Sequence, residues 1–166
     1  YEFKTLQSRT IPFNEETYTL GFGTNTDFNH PELRVFFSSL TTPTSTIDIR
    51  LSDFQKEVKK TQEIVGSFEA ENYVSKRIWI KGHDGVDVAV SMVCRREIEF
   101  KNAPTLLYAY GSYGHTIDPY FSSTRLSLLD RGFIFAIAHI RGGSYLGKQW
   151  YNEGKMFAKK NTFLDF

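Results

Sequence analysis

Hydrophobic and polar positions alternate in short runs along the first part of the chain, TYTLGF at 17–22 and IDIRL at 47–51, with the β-rich run LRVFFSSL at 33–40 between them. Each is rich in β-branched and aromatic residues and bounded by Asn, Pro, Thr or Ser, which predicts strands. Strands this short and closely spaced suggest an antiparallel all-β element such as one blade of a propeller. A single blade cannot bury both faces alone, so its neighbours must come from elsewhere. Residues 54–68 are mostly polar and ambiguous. The runs RIWIK (77–81) and VDVAVSMV (86–93), joined by Gly82-His83-Asp84-Gly85, predict a β-hairpin with a turn slightly longer than two residues. Residues 95–103 form a charged connection.

From Pro104 the pattern changes. A continuous apolar strand is expected over 104–110, ending in Gly111-Ser112-Tyr113-Gly114. Residues 122–131 predict a helix of about three turns with Gly132 at its end. FIFAIAHI (133–140) is a second continuous apolar strand, closed by Arg141-Gly142-Gly143-Ser144. Two such strands around an amphipathic helix predict a βαβ unit in a parallel sheet covered on both faces. The chain thus reads as all-β followed by α/β, and it stops before the second sheet is complete.

Composition refines this picture. Hydrophobic residues make up 40% and aromatics 16%, enough for a packed core. A net charge of +1 offers no basis for binding nucleic acid or an anionic membrane. Residues 1–75 carry 7 basic and 11 acidic side chains, whereas 76–166 carry 13 and 8, which suggests two units meeting near residue 75. Cys94 is the only cysteine, so no internal disulfide can form, and it reads as a small buried apolar residue. No apolar run approaches the ~20 residues of a membrane span. No signal-peptide pattern opens the chain, which decides nothing for an excerpt of a longer one; the expected location is the cytoplasm. The chain begins with Tyr1 and reads as an excerpt of a longer one.

The Gly111–Gly114 turn is the first candidate for chemistry. It lacks the Gly-Lys-Ser/Thr of a P-loop and the first glycine of G-x-G-x-x-G, which argues against a nucleotide. The order hairpin, strand, turn, helix fits the α/β-hydrolase loop that helps build an oxyanion hole. The residues equally allow Tyr110 to cap its strand and pack under the loop. No G-x-S-x-G occurs, and GSYLG (143–147) has the wrong register. His30, His83, His115 and His139 lie in turns or at a strand end and assemble into no triad; no metal-ligand spacing occurs. Arg141-Gly142-Gly143 reads as an anion site or, preferably, a packing turn. Its glycines point to close backbone approach and its arginine to a fork of hydrogen bonds on a carboxylate.

These segments resemble a known family. LLYAYGSYG, DPYFSSTRLSLLDRGFIFAIAHIRGGSYLGKQWYNEGK and KNTFLDF are similar to the oligopeptidase B group of the prolyl oligopeptidase family of serine peptidases. Upstream, LRVFFSSLTTP resembles its last propeller blade, and EIVGSFEAENYVSKRIWIKGHDGVDVAVSMVCRR the crossing into its peptidase domain. The resemblance implies an incomplete α/β-hydrolase domain over 76–166, preceded over 1–75 by the end of a β-propeller and a linker. It implies hydrolysis of short basic peptides after Arg or Lys by Ser, Asp and His, without cofactor or metal. In the family that triad lies beyond the NTFLDF segment, so the chain alone is expected to be inactive and to need the missing blades and the rest of the hydrolase domain. The resemblance makes Tyr110 the hydroxyl donor to the oxyanion and places Tyr113 in the primary specificity pocket. Asp118 matches one of two acids that attract a second basic residue. Tyr120 stands where the other would be, and Tyr145 where many relatives carry an acid. The alternatives are a non-catalytic remnant of a split gene with a structural or binding role, or another α/β-hydrolase such as an esterase or aminoacyl-peptidase.

Overall fold

The computed structural model describes residues 7–100 and 102–166. Its strands form two four-stranded sheets. The first is an antiparallel meander of β1 (Tyr18–Phe22), β2 (Glu32–Ser39), β3 (Ser45–Arg50) and β4 (Lys56–Thr61). Alternation along β2 and β3 sends Val35, Phe37, Ile47 and Ile49 to one face, where all four are buried. Leu20, Phe22 and Val58 pair with residues of that face, yet remain exposed on the outer strands. The sheet therefore covers only the middle of its apolar face, as expected of one blade without neighbours. The ambiguous stretch 54–68 contains β4, exposed along its whole length. Its sequence KEVKKT suits a sheet edge, where lysines guard against stray pairing.

The second sheet has the order β5-β6-β8-β7, from β5 (Tyr73–Lys81), β6 (Asp87–Arg95), β7 (Thr105–Tyr108) and β8 (Ile134–Ala138). β5 and β6 form the expected hairpin, closed by Gly82 N–H on the Val86 carbonyl at 2.8 Å. β8 runs antiparallel to β6 and parallel to β7. The crossover from β7 to β8 carries α1 (Ser123–Leu129), a helix of seven residues rather than three turns. Gly132 follows it at φ +83°, the left-handed position that ends the helix. The connection 95–103 runs between β6 and β7, and its Lys101 lies outside the described residues.

β6 and β8 are buried on both faces. Val88, Val90, Ala136 and Ala138 pack with Ile140 and Trp150 on one side. Val93 and Ile137 pack with Leu129, Tyr73 and Leu40 on the other. Cys94 is buried in β6. β7 corrects the expectation of a doubly covered strand: Leu106, Leu107 and Tyr108 are all exposed. A continuous apolar run marks a strand suited to burial on both faces, but burial also needs a neighbour on its outer side. Among the described residues none supplies it. The two sheets touch where Phe121 N–H donates to Ser38 Oγ at 3.0 Å and Phe68 packs between Tyr73 and Phe121. The Tyr73 hydroxyl donates to Asp130 at 2.6 Å, tying β5 to the end of α1. No helix among the described residues is long and apolar enough to cross a membrane.

Candidate active site

The turn after β7 is held in a backbone form that ordinary residues resist. Gly111 has φ +63°, Tyr113 +55° and Gly114 +70°. A Cβ on Gly111 would lie 2.6 Å from Thr162 Cγ2 and 2.7 Å from Ile140 Cγ1, so the site demands glycine twice over. Lys159 reaches in from α3 (Lys159–Leu164), which follows the short α2 (Lys148–Asn152), and donates from Nζ to the Gly111 carbonyl at 2.6 Å and to Ser112 Oγ at 2.7 Å. On the other side Gly114 N–H donates to the Gly142 carbonyl at 2.9 Å, and Ser144 Oγ donates to the Gly114 carbonyl at 2.6 Å. The close approach expected of the Arg-Gly-Gly glycines is real: a Cβ on Gly142 would sit 2.1 Å from the Gly111 carbonyl oxygen.

Tyr110, just before this turn, is 46% exposed and meets the His115 ring edge-on at 5.6 Å. Tyr113 is 89% exposed and Asp118 is exposed as well. His115 and Asp118 line one cleft of about 380 Å³ together with Tyr108, Tyr120, Arg125 and Phe135. Tyr110 and His115 also border a small hollow against His139 and Tyr145. The amides of Gly114 and His115 are spent within the loops, on the carbonyls of Gly142 and Ser112. The Tyr110 ring stands exposed beside them.

Arg141 takes the packing role. It is 2% exposed. Its backbone N–H and Nε donate to Asp165 Oδ2 at 3.0 and 2.8 Å, and Nη2 donates to Asp165 Oδ1 at 2.6 Å. Nη1 and Nη2 reach Asp84 at 2.7 and 3.2 Å. The hydrogen bonds from Arg141 hold the Asp84 carboxyl below its usual range, while Asp165 and Asp84 keep the guanidinium firmly protonated. The β5–β6 turn, the end of β8 and α3 are thereby tied at one point. His83, Asp84 and Asp165 stand close enough to share a cation, but both carboxylates are already engaged by Arg141.

His139, at the end of the apolar strand read from the sequence, is a core residue. It is 4% exposed, stacks on Tyr145 at 3.8 Å and pairs through Nε2 with Ser91 Oγ at 2.8 Å. Its Nδ1 finds no partner among the described residues. Burial, with the positive charge of Arg77 adding, pushes its pKa down to about 4. Protonation would place an N–H at Nδ1 with no acceptor. The unfolded chain binds this proton near pH 6.5 and the folded chain only near 4, so the contribution is complete above pH 6.5 and is lost as pH falls toward 4. We expect a loss of about 3 kcal/mol across that window. Denaturant titrations at pH 7 and pH 4 should show this slope in the protein and a flatter one in His139→Asn. Asp48, Asp53, Asp84 and Glu97, whose carboxyls the fold holds low, add their own loss only toward the acid end of this window, and the difference between the protein and His139→Asn isolates the imidazole.

Comparison with known proteins fits this geometry. The prolyl oligopeptidase family model matches residues 119–166. Dipeptidyl aminopeptidase BI of Pseudoxanthomonas mexicana is 41% identical over 158 residues, covering 94% of this chain and 22% of that protein. Protease 2 of Moraxella lacunata is 34% identical, covering 94% of this chain and 23% of that one. Among solved structures, oligopeptidase B from Trypanosoma brucei with covalently bound antipain superimposes with a TM-score of 0.85 at 40% identity, over 93% of this chain and 22% of that chain. The chain spans about a fifth of the length of the relatives it matches. Its two sheets correspond to part of the propeller and part of the α/β-hydrolase domain of those structures, and the chain is similar along both to the prolyl oligopeptidase family.

Proposed function

We propose that this chain is the propeller-to-hydrolase junction of a serine oligopeptidase that cleaves short peptides after Arg or Lys. The observation that carries the reading is the continuous likeness to oligopeptidase B from T. brucei across both sheets, at 40% identity. The division near residue 75, between the end of a propeller and the start of a peptidase domain, is part of the proposal. Tyr110 gives its hydroxyl to the oxyanion of the tetrahedral intermediate. In support, the neighbouring amides of Gly114 and His115 are already bonded within the loops, and the turn that carries Tyr110 is clamped from two sides. Tyr113, held out from the turn, lines the pocket for the basic side chain, and exposed Asp118 attracts a second basic group. The Ser, Asp and His come from polypeptide outside these 166 residues, no cofactor takes part, and the enzyme works in the cytoplasm.

One observation favours a second reading. The likeness to a dipeptidyl aminopeptidase at 41% identity, with Tyr120 in place of the second acid, fits removal of dipeptides from a free amino terminus. Both readings are tested on the full-length protein with Arg-linked fluorogenic peptides, N-blocked or with a free amine. Cleavage of the blocked peptide supports the endopeptidase. Cleavage of the free-amine peptide alone supports the exopeptidase. The isolated 166-residue chain is expected to give only background hydrolysis. Serine-inhibitor-sensitive turnover by it would refute the placement of the triad elsewhere.

A further inference from the structure

The cleft beside the Tyr110 turn contains a cation that no carboxylate neutralises. Arg125, on α1, is half-buried with its guanidinium 4.1 Å from the centre of the Phe135 ring. Its Nη1 donates to the Tyr120 carbonyl at 2.9 Å, the one side-chain hydrogen bond of Arg125 among the described residues. The fully buried Arg141 is treated differently: it is held by two carboxylates. Burial lowers the Arg125 pKa, and only Tyr120 acts against that. A desolvated guanidinium without a counter-charge costs free energy that a bound anion would return.

The surroundings suit a ligand. The cleft, about 380 Å³, has the size of a small-molecule or peptide subsite. Phe135 and the Tyr120 carbonyl fix the guanidinium plane, leaving its remaining N–H groups to present a fork. Asp118 opens onto the same cleft without forming an ion pair to Arg125. One cleft thus offers an anion and a cation that do not satisfy each other.

Resting on the peptidase reading above, we propose that this cleft is a subsite for a peptide carboxylate, with Arg125 as its anchor. The occupant is a short peptide with a basic group toward Asp118 and a free carboxylate on Arg125. The same carboxylate chemistry has a second source, an Asp or Glu of the polypeptide outside these 166 residues.

The test uses the full-length protein and matched Arg-containing peptides that end in a carboxylate or an amide. We expect the carboxylate peptide to have about tenfold higher kcat/KM. Arg125→Gln should bring it down to the level of the amide peptide, whose cleavage stays unchanged, and Arg125→Lys should keep part of the preference. Equal cleavage of both peptides by the unaltered protein overturns the proposal. So does an Arg125→Gln protein that melts earlier but keeps the same carboxylate preference, which would assign the partner to the protein itself. If neither peptide is cut, the peptidase reading fails, and fluorescence anisotropy decides the subsite alone. Tighter binding of the carboxylate peptide, lost in Arg125→Gln, upholds it; equal binding sinks it.

Discussion

Tyr110→Phe in the full-length protein is expected to lower kcat about a hundredfold while KM stays within about twofold. The substitution removes one oxygen and keeps the ring, so its edge-on contact with His115 at 5.6 Å and the glycine turn behind it are preserved. A hydroxyl aimed at an oxyanion does little for the ground-state carbonyl and much for the charged intermediate, so its loss falls on the chemical step. Steady-state kinetics on an Arg-linked amide substrate check this. A several-fold rise in KM at constant kcat would instead make Tyr110 a binding residue. Unchanged kinetics would return it to the role of a strand cap.

The largest expected effect on stability is at Arg141. Arg141→Leu should cost about 3–5 kcal/mol, because it leaves Asp165 buried without its cation. The Asp165 side chain is 0% exposed and accepts from Arg141 through both oxygens, whereas the Asp84 side chain keeps 36% of its surface in solvent. Asp84→Asn should therefore be much milder. The double change Arg141→Met with Asp165→Leu should recover most of the loss, since it removes the buried charge along with its partner. Thermal or denaturant unfolding of the four proteins decides the matter. If Arg141→Leu were no worse than Asp84→Asn, the node would be a surface pair with little weight. The glycine beside it adds to the constraint: Gly142 lies at φ +93° with the Gly111 carbonyl where a Cβ would be. Loss of Arg141 is thus expected to loosen the turn that carries Tyr110 as well.

Local pattern alone was enough for most elements. Alternation announced β3 and the β5–β6 hairpin, because one buried face repeats every second residue, and a β-rich run between turn residues announced β2. The apolar run and helix announced the parallel β7–β8 pair. The glycines at 111 and 142 were legible as sites of close approach, because no other residue has that freedom. β4 escaped notice because an exposed edge strand has no apolar face to repeat.

Tertiary structure decided what each charged or polar side chain meets. Lys159 grips the Gly111 carbonyl from 48 residues away, and Arg141 joins Asp84 and Asp165 from 57 and 24 residues away. A sequence shows that such charges exist, but pairing depends on which loops the sheet order β5-β6-β8-β7 brings to one end. His139 reads as a residue at the end of an apolar strand, and its register beside Ala89 puts it in the core with a depressed pKa. Periodicity belongs to neighbours along the chain and survives in the sequence. Ion pairs, buried titratable groups and the solitary Arg125 belong to neighbours in space, and the packing of helices and loops around the second sheet creates them.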